Sequence, residues 1–121
     1  STDKISKRLN DVIQSEDNGV WVAFTQGHLV GCVHGFYTRR IESDAFSEIG
    51  GLVVDVDYRQ KGIGKLLVEQ VCQWAVVKGC NKVRVRCNVK RIETHRFYQQ
   101  IGFEATKDQK IFDKNVSVPS E

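Results

Sequence analysis

The spacing of apolar residues along the chain predicts a mixed order of helices and strands. Apolar positions three and four apart predict amphipathic helices, and alternation of apolar and polar positions predicts half-buried strands. The predicted elements, in chain order, are a helix over 3–14, strands over 20–25, 28–37 and 48–54, a helix over 62–78, a strand over 82–87, a short helix over 91–100 and a last strand or strand pair over 103–112. This order predicts an α/β fold with helices on both faces of a mixed sheet.

Glycines sharpen the boundaries of these elements. Gln26-Gly27 is a tight turn that joins the first two strands as a hairpin, and Gly79 suits the C-terminal cap of the long helix. The near-continuous apolar run over 48–54 predicts a strand that is buried on both faces. Gly50-Gly51 within that run predicts a bulge or a close approach of another backbone.

The composition narrows the class of protein. The 121 residues predict one domain, and 40% hydrophobic with 27% charged residues is ordinary for a soluble globular protein. A net charge of +3 suits a small anionic ligand and argues against a nucleic-acid partner, which needs a strongly basic face. No apolar run approaches the roughly 20 residues that cross a bilayer, so no membrane partner is predicted.

The four cysteines predict free thiols. None of them forms a Cys-x-x-Cys pair, and no two histidines have the spacing of a zinc site, so no metal is predicted. Reduced thiols are typical of a cytoplasmic protein, which is the predicted location.

A glycine turn between 52 and 65 carries the candidate chemistry. An apolar strand leads into a short loop, a Gly62-x-Gly64 pair and the start of a helix, an arrangement that aims several N–H groups at one phosphate. Two phosphate-binding motifs fail here. A Walker A loop requires Ser or Thr where the chain has Leu66, and a dinucleotide fingerprint requires a third Gly where the chain has Leu67.

A third pattern, Arg/Gln-x-x-Gly-x-Gly/Ala after an apolar strand, is matched in full by 59–64. The chain resembles the GCN5-related N-acetyltransferases, the GNAT family, over most of its length. The preceding Leu52-Val53-Val54, Asn88 and the segment 94–103 (THRFYQQIGF) add to the resemblance. It implies the acyl-CoA N-acyltransferase fold, with a mixed, mostly antiparallel central sheet that is splayed at the coenzyme site.

The implied function is the transfer of acetyl from acetyl-CoA to a primary amine of a small molecule, by direct attack in a ternary complex. The coenzyme-binding residues that the resemblance implies are Leu52, Val53, Val54, Arg59, Gln60, Lys61, Gly62, Ile63, Gly64, Lys65, Asn88, His95 and Tyr98. The N–H groups of 60–65 would hold the pyrophosphate, and the edges of Leu52 and Val54 would pair with the pantetheine arm. An amide near Leu52 or Val53 would polarise the thioester carbonyl. The alternative roles are solvated loop cations for Arg59 and Lys61 and an ordinary turn residue for Asn88.

The predicted catalytic residues are Tyr98 and Glu48. Tyr98 would protonate or hydrogen-bond the departing thiolate, and its alternative role is that of a core aromatic. Glu48 is the leading candidate for the general base, directly or through a water. Relatives often have a carboxylate two residues later, where this chain has Gly50. His34 is a candidate to face the acceptor cleft.

Two other functions stay open from the residues. One is an acyl-CoA-binding module that senses or regulates without catalysis, and the other is an acetyltransferase that acts on protein lysines or N-termini. Family members usually begin with a strand and a helix that precede the segment seen here. We therefore expect either upstream sequence or a homodimer that covers an exposed sheet edge, and we expect 114–121 to be a flexible tail.

Overall fold

The structure of the chain is a computed structural model that describes residues 16–40, 44–117 and 119. The helix predicted over 3–14 lies outside these residues. The chain divides into two compact units, Ser1–Arg86 and Cys87–Glu121, and each is described by itself. The single domain expected from the sequence stays a prediction.

The first unit is built on a four-stranded sheet in the order β1-β2-β3-β4. The strands are β1 Asn18–Thr25, β2 His28–Thr38, β3 Phe46–Val54 and β4 Val83–Val85. The first three strands pair antiparallel, and β4 is parallel to β3, which confirms the mixed, mostly antiparallel sheet. The turn between β1 and β2 has φ of 49° at Gln26 and 80° at Gly27, as the hairpin prediction requires.

One helix, α1 over Ile63–Val77, covers one face of the sheet. Its apolar stripe lies on the strands because two strand glycines leave room for it. A Cβ on Gly31 would lie 3.2 Å from Leu67, and a Cβ on Gly35 would lie 2.9 Å from Val71. Trp74 of α1 meets Trp21 of β1 edge to face, with ring centroids 5.7 Å apart. This helix-covered face contains the core of the unit.

A short 3-10 helix over Val56–Tyr58 and a tight turn lead from β3 into α1. Two residues of that turn, Gln60 and Gly62, have φ of 62° and 83°. The left-handed conformation favours glycine, so the sequence places Gly where the helix must begin abruptly. At the other end, Gly79 has φ of 84° and Cys80 N–H donates to the Ala75 carbonyl at 2.8 Å, which caps the helix as predicted.

The second unit contains one helix, α2 over Ile92–Gln100. Tyr98 is its buried residue, and the Tyr98 ring lies edge to face against Phe97 and Phe103 at 5.0 and 5.3 Å between centroids. The strand or strand pair predicted over 103–112 is wrong, since no strand forms there. Ile111 and Phe112 are 81% and 89% exposed, so the apolar residues behind that prediction have no sheet to join.

The pairing of β3 with β4 is short and ends in a fork. Only Ser47, Glu48 and Ile49 of β3 have partners on β4, whereas β3 continues to Val54. At the divergence, both carboxylate oxygens of Glu48 accept from the Arg86 guanidinium, at 3.2 and 3.4 Å. The run over 48–54 was predicted to be buried on both faces, but only Glu48 and Ile49 of it are buried. The predicted splay is present at this fork.

Burial inside α1 can be tested with a matched pair of valines. Val71→Ala should lower the free energy of unfolding by about 2 kcal/mol, because it empties a fully buried site. Val71 is 0% exposed, whereas Val77 in the same helix is 84% exposed. Val77→Ala should therefore leave stability unchanged or slightly raised, since Ala has the higher helix propensity. Urea unfolding measures both, and equal losses would contradict the packing of α1 on the sheet.

The ion pair at the fork can be compared with an exposed one. Arg86→Ala should cost about 2 kcal/mol in urea unfolding, because it leaves a buried carboxylate without its guanidinium. The Glu48 side chain is 8% exposed, whereas the Arg39–Asp17 pair is 69% and 39% exposed. Arg39→Ala should therefore cost less than about 1 kcal/mol. A smaller loss for Arg86→Ala than for Arg39→Ala would show that the fork does not depend on its ion pair.

Candidate functional site

The open edge of β3 beyond the fork presents main-chain groups. Asp55 N–H donates to the Val30 carbonyl at 2.8 Å. In the same register, every second pair towards the bulge is a hydrogen-bonded pair, first Val53 with Cys32 and then Gly51 with His34. In an antiparallel ladder the residues between such pairs point their N–H and C=O groups to the other side. Leu52 and Val54 therefore aim their backbone groups away from β2, on the side that β4 has left. The same alternation turns the Val53 amide towards β2.

The Arg59 side chain occupies part of this edge. Its Nε donates to the Val54 carbonyl at 3.0 Å, which agrees with an outward-facing carbonyl. The neighbouring cation, Lys61, lies over the Tyr58 ring at 5.4 Å. Both cations border the loop between β3 and α1, so they place positive charge beside the start of the helix.

The N-terminus of α1 supplies a cluster of donors. The first bond of the helix runs from Leu66 N–H to the Gly62 carbonyl at 3.1 Å. The N–H groups of Ile63, Gly64 and Lys65 therefore have no intrahelical acceptor. They lie in the positive end of the helix dipole, and Gly62 adds no side chain over them. A Cβ built on Gly62 finds no heavy atom within 4 Å, so the space above the turn is open among the described residues.

Glu48 lies on the sheet face opposite α1, because Glu48 pairs with Phe36 and Ile49 pairs with Gly35 in the core row. Its oxygens already accept from Arg86. The role of Glu48 as general base stays a prediction. Gly50 forms the predicted bulge, since register shifts between His34 and Gly35.

A pair that the sequence did not predict lies on the same face. His34 Nε2 is 2.7 Å from Asn18 Oδ1, across the β1–β2 ladder. A Cβ on Gly50 would lie 2.8 Å from His34 Nδ1 and 3.0 Å from the Phe36 ring. The imidazole thus fills the place that a side chain at position 50 would take. Burial lowers the pKa of His34 from its ordinary value of 6.5. Only the tertiary register brings Asn18 to His34, so no sequence motif could have indicated the pair.

The second unit carries the remaining predicted residues. Burial, with a smaller contribution from Cys87, raises the pKa of the Tyr98 hydroxyl to about 12. His95 Nε2 lies 2.7 Å from the Asn88 carbonyl, and Asn88 Oδ1 accepts from Lys90 N–H at 2.9 Å. Asn88 Oδ1 thus closes a turn at 88–90, and the predicted contact of Asn88 with the pantetheine arm stays a prediction. His95 fixes this turn to α2.

Two further observations concern the cysteine thiols and the side chains that could bind a metal. Burial raises the pKa of the Cys72 and Cys87 thiols, which disfavours the thiolate that a nucleophile needs. In the described ranges, no three His, Cys, Asp or Glu side chains gather as a metal site would require. No helix within those ranges is long and apolar enough to cross a membrane.

The structure thus gathers part of the predicted site within one unit. The open edge of β3 at 52–54, the loop and helix start at 59–65, and Glu48 all belong to the first unit. Asn88, His95 and Tyr98 belong to the second. The first group forms a continuous path from an exposed strand edge to a cluster of N–H donors. Such a path fits a long, flexible ligand with a polar chain and a phosphate group.

The sequence relatives include N-acetylaspartate synthetases and a protein named as an N-acetyltransferase. The chain is 34% identical over 83 residues to the N-acetylaspartate synthetase of Homo sapiens and 32% identical over 84 residues to that of Xenopus tropicalis. These matches cover 69% of this chain in each case, but only 26% and 30% of the relatives. The chain therefore spans less than a third of the length of these relatives. It is also 36% identical over 69 residues to the glucosamine 6-phosphate N-acetyltransferase of Trypanosoma brucei brucei, covering 57% of this chain and 45% of that protein.

Solved structures share the fold. The apo aminoglycoside 6'-N-acetyltransferase AAC(6')-IG of Acinetobacter haemolyticus superposes with a TM-score of 0.85 at 15% identity, covering 97% of this chain and 83% of that one. AAC(6')-Iy in complex with CoA gives a TM-score of 0.83 at 22% identity, covering 93% and 90%. These likenesses confirm the predicted fold class. The sequence profile of the acetyltransferase (GNAT) family matches residues 2–103, and the chain therefore belongs to that family.

Proposed function

We propose that this chain transfers the acetyl group of acetyl-CoA to a primary amine of a small molecule. The observation that carries the proposal is the path in the first unit, where the unpaired edge of β3 runs into the N-terminus of α1. The relatives named N-acetylaspartate synthetase and glucosamine 6-phosphate N-acetyltransferase support the proposal, and so does an aminoglycoside N-acetyltransferase that was solved with CoA. The chain spans a minor part of several relatives, so the proposal concerns the chemistry of this segment.

The pyrophosphate of the coenzyme takes the donor end of the path. The N–H groups of 60–65 surround it, the helix dipole adds attraction, and Arg59 and Lys61 contribute positive charge. Gly62 allows close approach because it carries no side chain. Binding of the pantetheine arm along β3 would require Arg59 to release the Val54 carbonyl, which it holds at 3.0 Å. The arm then takes the hydrogen bonds that a further strand would make.

The acetyl carbonyl takes the fork end of the path. The Leu52 amide faces the open side, whereas the Val53 amide faces β2, so Leu52 is the proposed oxyanion donor of the two candidates. A fixed N–H at this place stabilises the charge that develops on the carbonyl oxygen. The acceptor amine attacks directly in the ternary complex. The raised pKa of Cys72 and Cys87 supports a mechanism without an acyl-enzyme.

Tyr98 assists departure of the thiolate. A phenol with a pKa of about 12 stays protonated over the whole physiological range. It is a much weaker acid than a thiol with a pKa of about 8.5. Its contribution is therefore a hydrogen bond to the thiolate, and complete proton transfer is the smaller part of its role. Asn88 offers its side-chain NH2 group to the pantetheine arm, and His95 holds the Asn88 turn.

Release of free thiol from acetyl-CoA in the presence of an amine panel tests the proposal. The panel contains aspartate, glucosamine 6-phosphate, an aminoglycoside and lysine-containing peptides, which cover the chemistry in the relatives' names and the protein-acetylation alternative. Amine-dependent thiol release with a small molecule supports the proposal. Binding of acetyl-CoA in calorimetry without thiol release from any amine would favour the sensing module instead, and release only with peptides would favour protein acetylation.

Side chains at the glycine turn should abolish coenzyme binding. Gly62→Val and Gly64→Val each place a branched side chain where the pyrophosphate must approach, so calorimetry should detect no binding of acetyl-CoA. The control is Gly27→Val, because Gly27 has φ of 80°, close to the 83° of Gly62, and lies in the β1–β2 turn. Gly27→Val carries the same backbone strain without touching the site. Retained affinity in the Gly64→Val protein would contradict the placement of the diphosphate.

Loss of the Tyr98 hydroxyl should slow turnover. Tyr98→Phe should lower kcat by about 10- to 100-fold, the value of one hydrogen bond to a charged group. The dissociation constant of acetyl-CoA should change little, because the ground state carries no charge on sulfur. Tyr37→Phe on β2 is the control and should leave kcat unchanged. A Tyr98→Phe protein with full turnover would remove Tyr98 from the mechanism.

A further inference from the structure

We propose that His34, oriented by Asn18, accepts the proton that the acceptor amine must lose before it attacks the thioester. This inference rests on the proposed function, and it names a base other than Glu48, which the sequence made the leading candidate, acting directly or through a water. The His34 ring lies where a side chain at Gly50 would lie, which is the position at which the family resemblance implies a carboxylate.

The hydrogen bond to Asn18 selects one tautomer of the ring. Asn18 Oδ1 is an acceptor, so His34 Nε2, at 2.7 Å, carries the hydrogen and donates it. The neutral ring then has its lone pair on Nδ1. A donor or acceptor on the second nitrogen is the usual means by which proteins fix the reactive nitrogen of a histidine.

The second ring nitrogen, Nδ1, lies beside the bulge of β3. Nδ1 would lie 2.8 Å from a Cβ at Gly50, so it stands directly above the backbone of that residue. Gly50 is exposed, and so are the next glycine and Val53 on the same face. Adjacent strands are about 4.8 Å apart, which leaves the open edge of β3 within reach of Nδ1 directly or through one water. A larger residue at position 50 would fill this route.

The alternative carboxylate is less suited to the task. Each oxygen of Glu48 already accepts a hydrogen bond from Arg86, and this ion pair stabilises the carboxylate as an anion at the fork. On the face of His34, Glu48 pairs with Arg86, and Arg40 lies over the Phe46 ring at 5.0 Å. Arg84 stacks on the Phe46 ring at 4.4 Å. The contacts of the imidazole itself are with neutral groups, namely Asn18 of β1 and the Phe36 ring, whose centroid lies 5.5 Å away.

Burial favours the neutral form of the His34 ring. Burial lowers the pKa of His34 below 6.5, and no charged neighbour contributes to that shift. The ring is therefore neutral and able to accept a proton at pH 7, and it becomes protonated only in more acid solution.

The proton balance of the step is complete. One proton of the ammonium passes to His34 Nδ1, and the nitrogen lone pair forms a bond to the thioester carbonyl carbon. The C–S bond breaks and its electron pair goes to sulfur, which receives the second proton of the nitrogen. His34 then returns the first proton to solvent, so the products are the amide, the free thiol of CoA and one released proton.

The test is the pH profile of kcat/KM for one amine between about pH 5 and pH 9, where imidazole titrates. The unmodified chain should lose activity in acid with an apparent pKa below 6.5. His34→Gln should lower kcat by about 100-fold and remove this acid limb, with unchanged affinity for acetyl-CoA. Asn18→Asp should move the acid limb to higher pH by about one unit, because a carboxylate on Nε2–H stabilises the imidazolium.

Two glycines give a matched pair for the geometry. Gly50→Ala should lower kcat, because its Cβ meets Nδ1 and the Phe36 ring, whereas a Cβ on Gly51 meets no atom within 4 Å. Gly51→Ala should keep the acid limb at the same pH. An acid limb that is unchanged in both His34→Gln and Asn18→Asp would overturn the assignment.

A nitrogen NMR titration of His34 separates failure of this inference from failure of the proposed function. It requires no turnover. The expected result is the Nε2–H tautomer with a pKa below 6.5 that rises in Asn18→Asp. If no amine supports thiol release, the proposed function fails and His34 loses its role as base with it. If thiol is released but the spectra show the Nδ1–H tautomer, only the His34 assignment is overturned.

Discussion

The divergence of β3 and β4 is the constraint on which the rest of this molecule depends. Unpaired backbone groups are tolerated only where water or a ligand can reach them. β3 pairs with β2 on both sides of the bulge at Gly50, whereas its other edge is paired for three residues and then open. The buried Glu48–Arg86 pair stands where the two strands separate. It fixes the position at which the edge becomes available.

Two irregular segments that contain glycine, a bulge and a turn, lie beside this edge. The bulge at Gly50 interrupts β3 just after its last partner on β4 and leaves a gap that the His34 ring fills. The turn at 59–62 uses left-handed backbone at Gln60 and Gly62 to begin a helix abruptly, so that its free N–H groups face outward. In both places the absence of a side chain is what matters. A Cβ would remove either the approach of a ligand or the position of a ring.

Several side chains of the candidate site make hydrogen bonds within the protein. Arg59 holds the Val54 carbonyl, Arg86 holds Glu48, His95 holds Asn88, and Asn18 holds His34. These contacts distinguish residues that hold the site in place from residues that keep an atom available for a ligand. Glu48 falls into the first group and His34 into the second. Tyr98, wrapped by aromatic rings, keeps its proton and can act through a hydrogen bond.

The sequence by itself determined the glycine turn, the family, the hairpin and the order of most elements, because these follow from local periodicity and from residues that demand special backbone angles. It failed over 103–112, where apolar residues suggested a strand, because a strand exists only if a neighbouring edge accepts it. Tertiary structure alone decided how β3 pairs, and therefore which amides face outward and which face β2. It also brought Asn18 to His34 and Arg86 to Glu48, since side chains far apart in the chain meet only through register. The fold could be predicted from local sequence patterns, whereas the hydrogen bonds of His34 and Glu48 depend on contacts across strands.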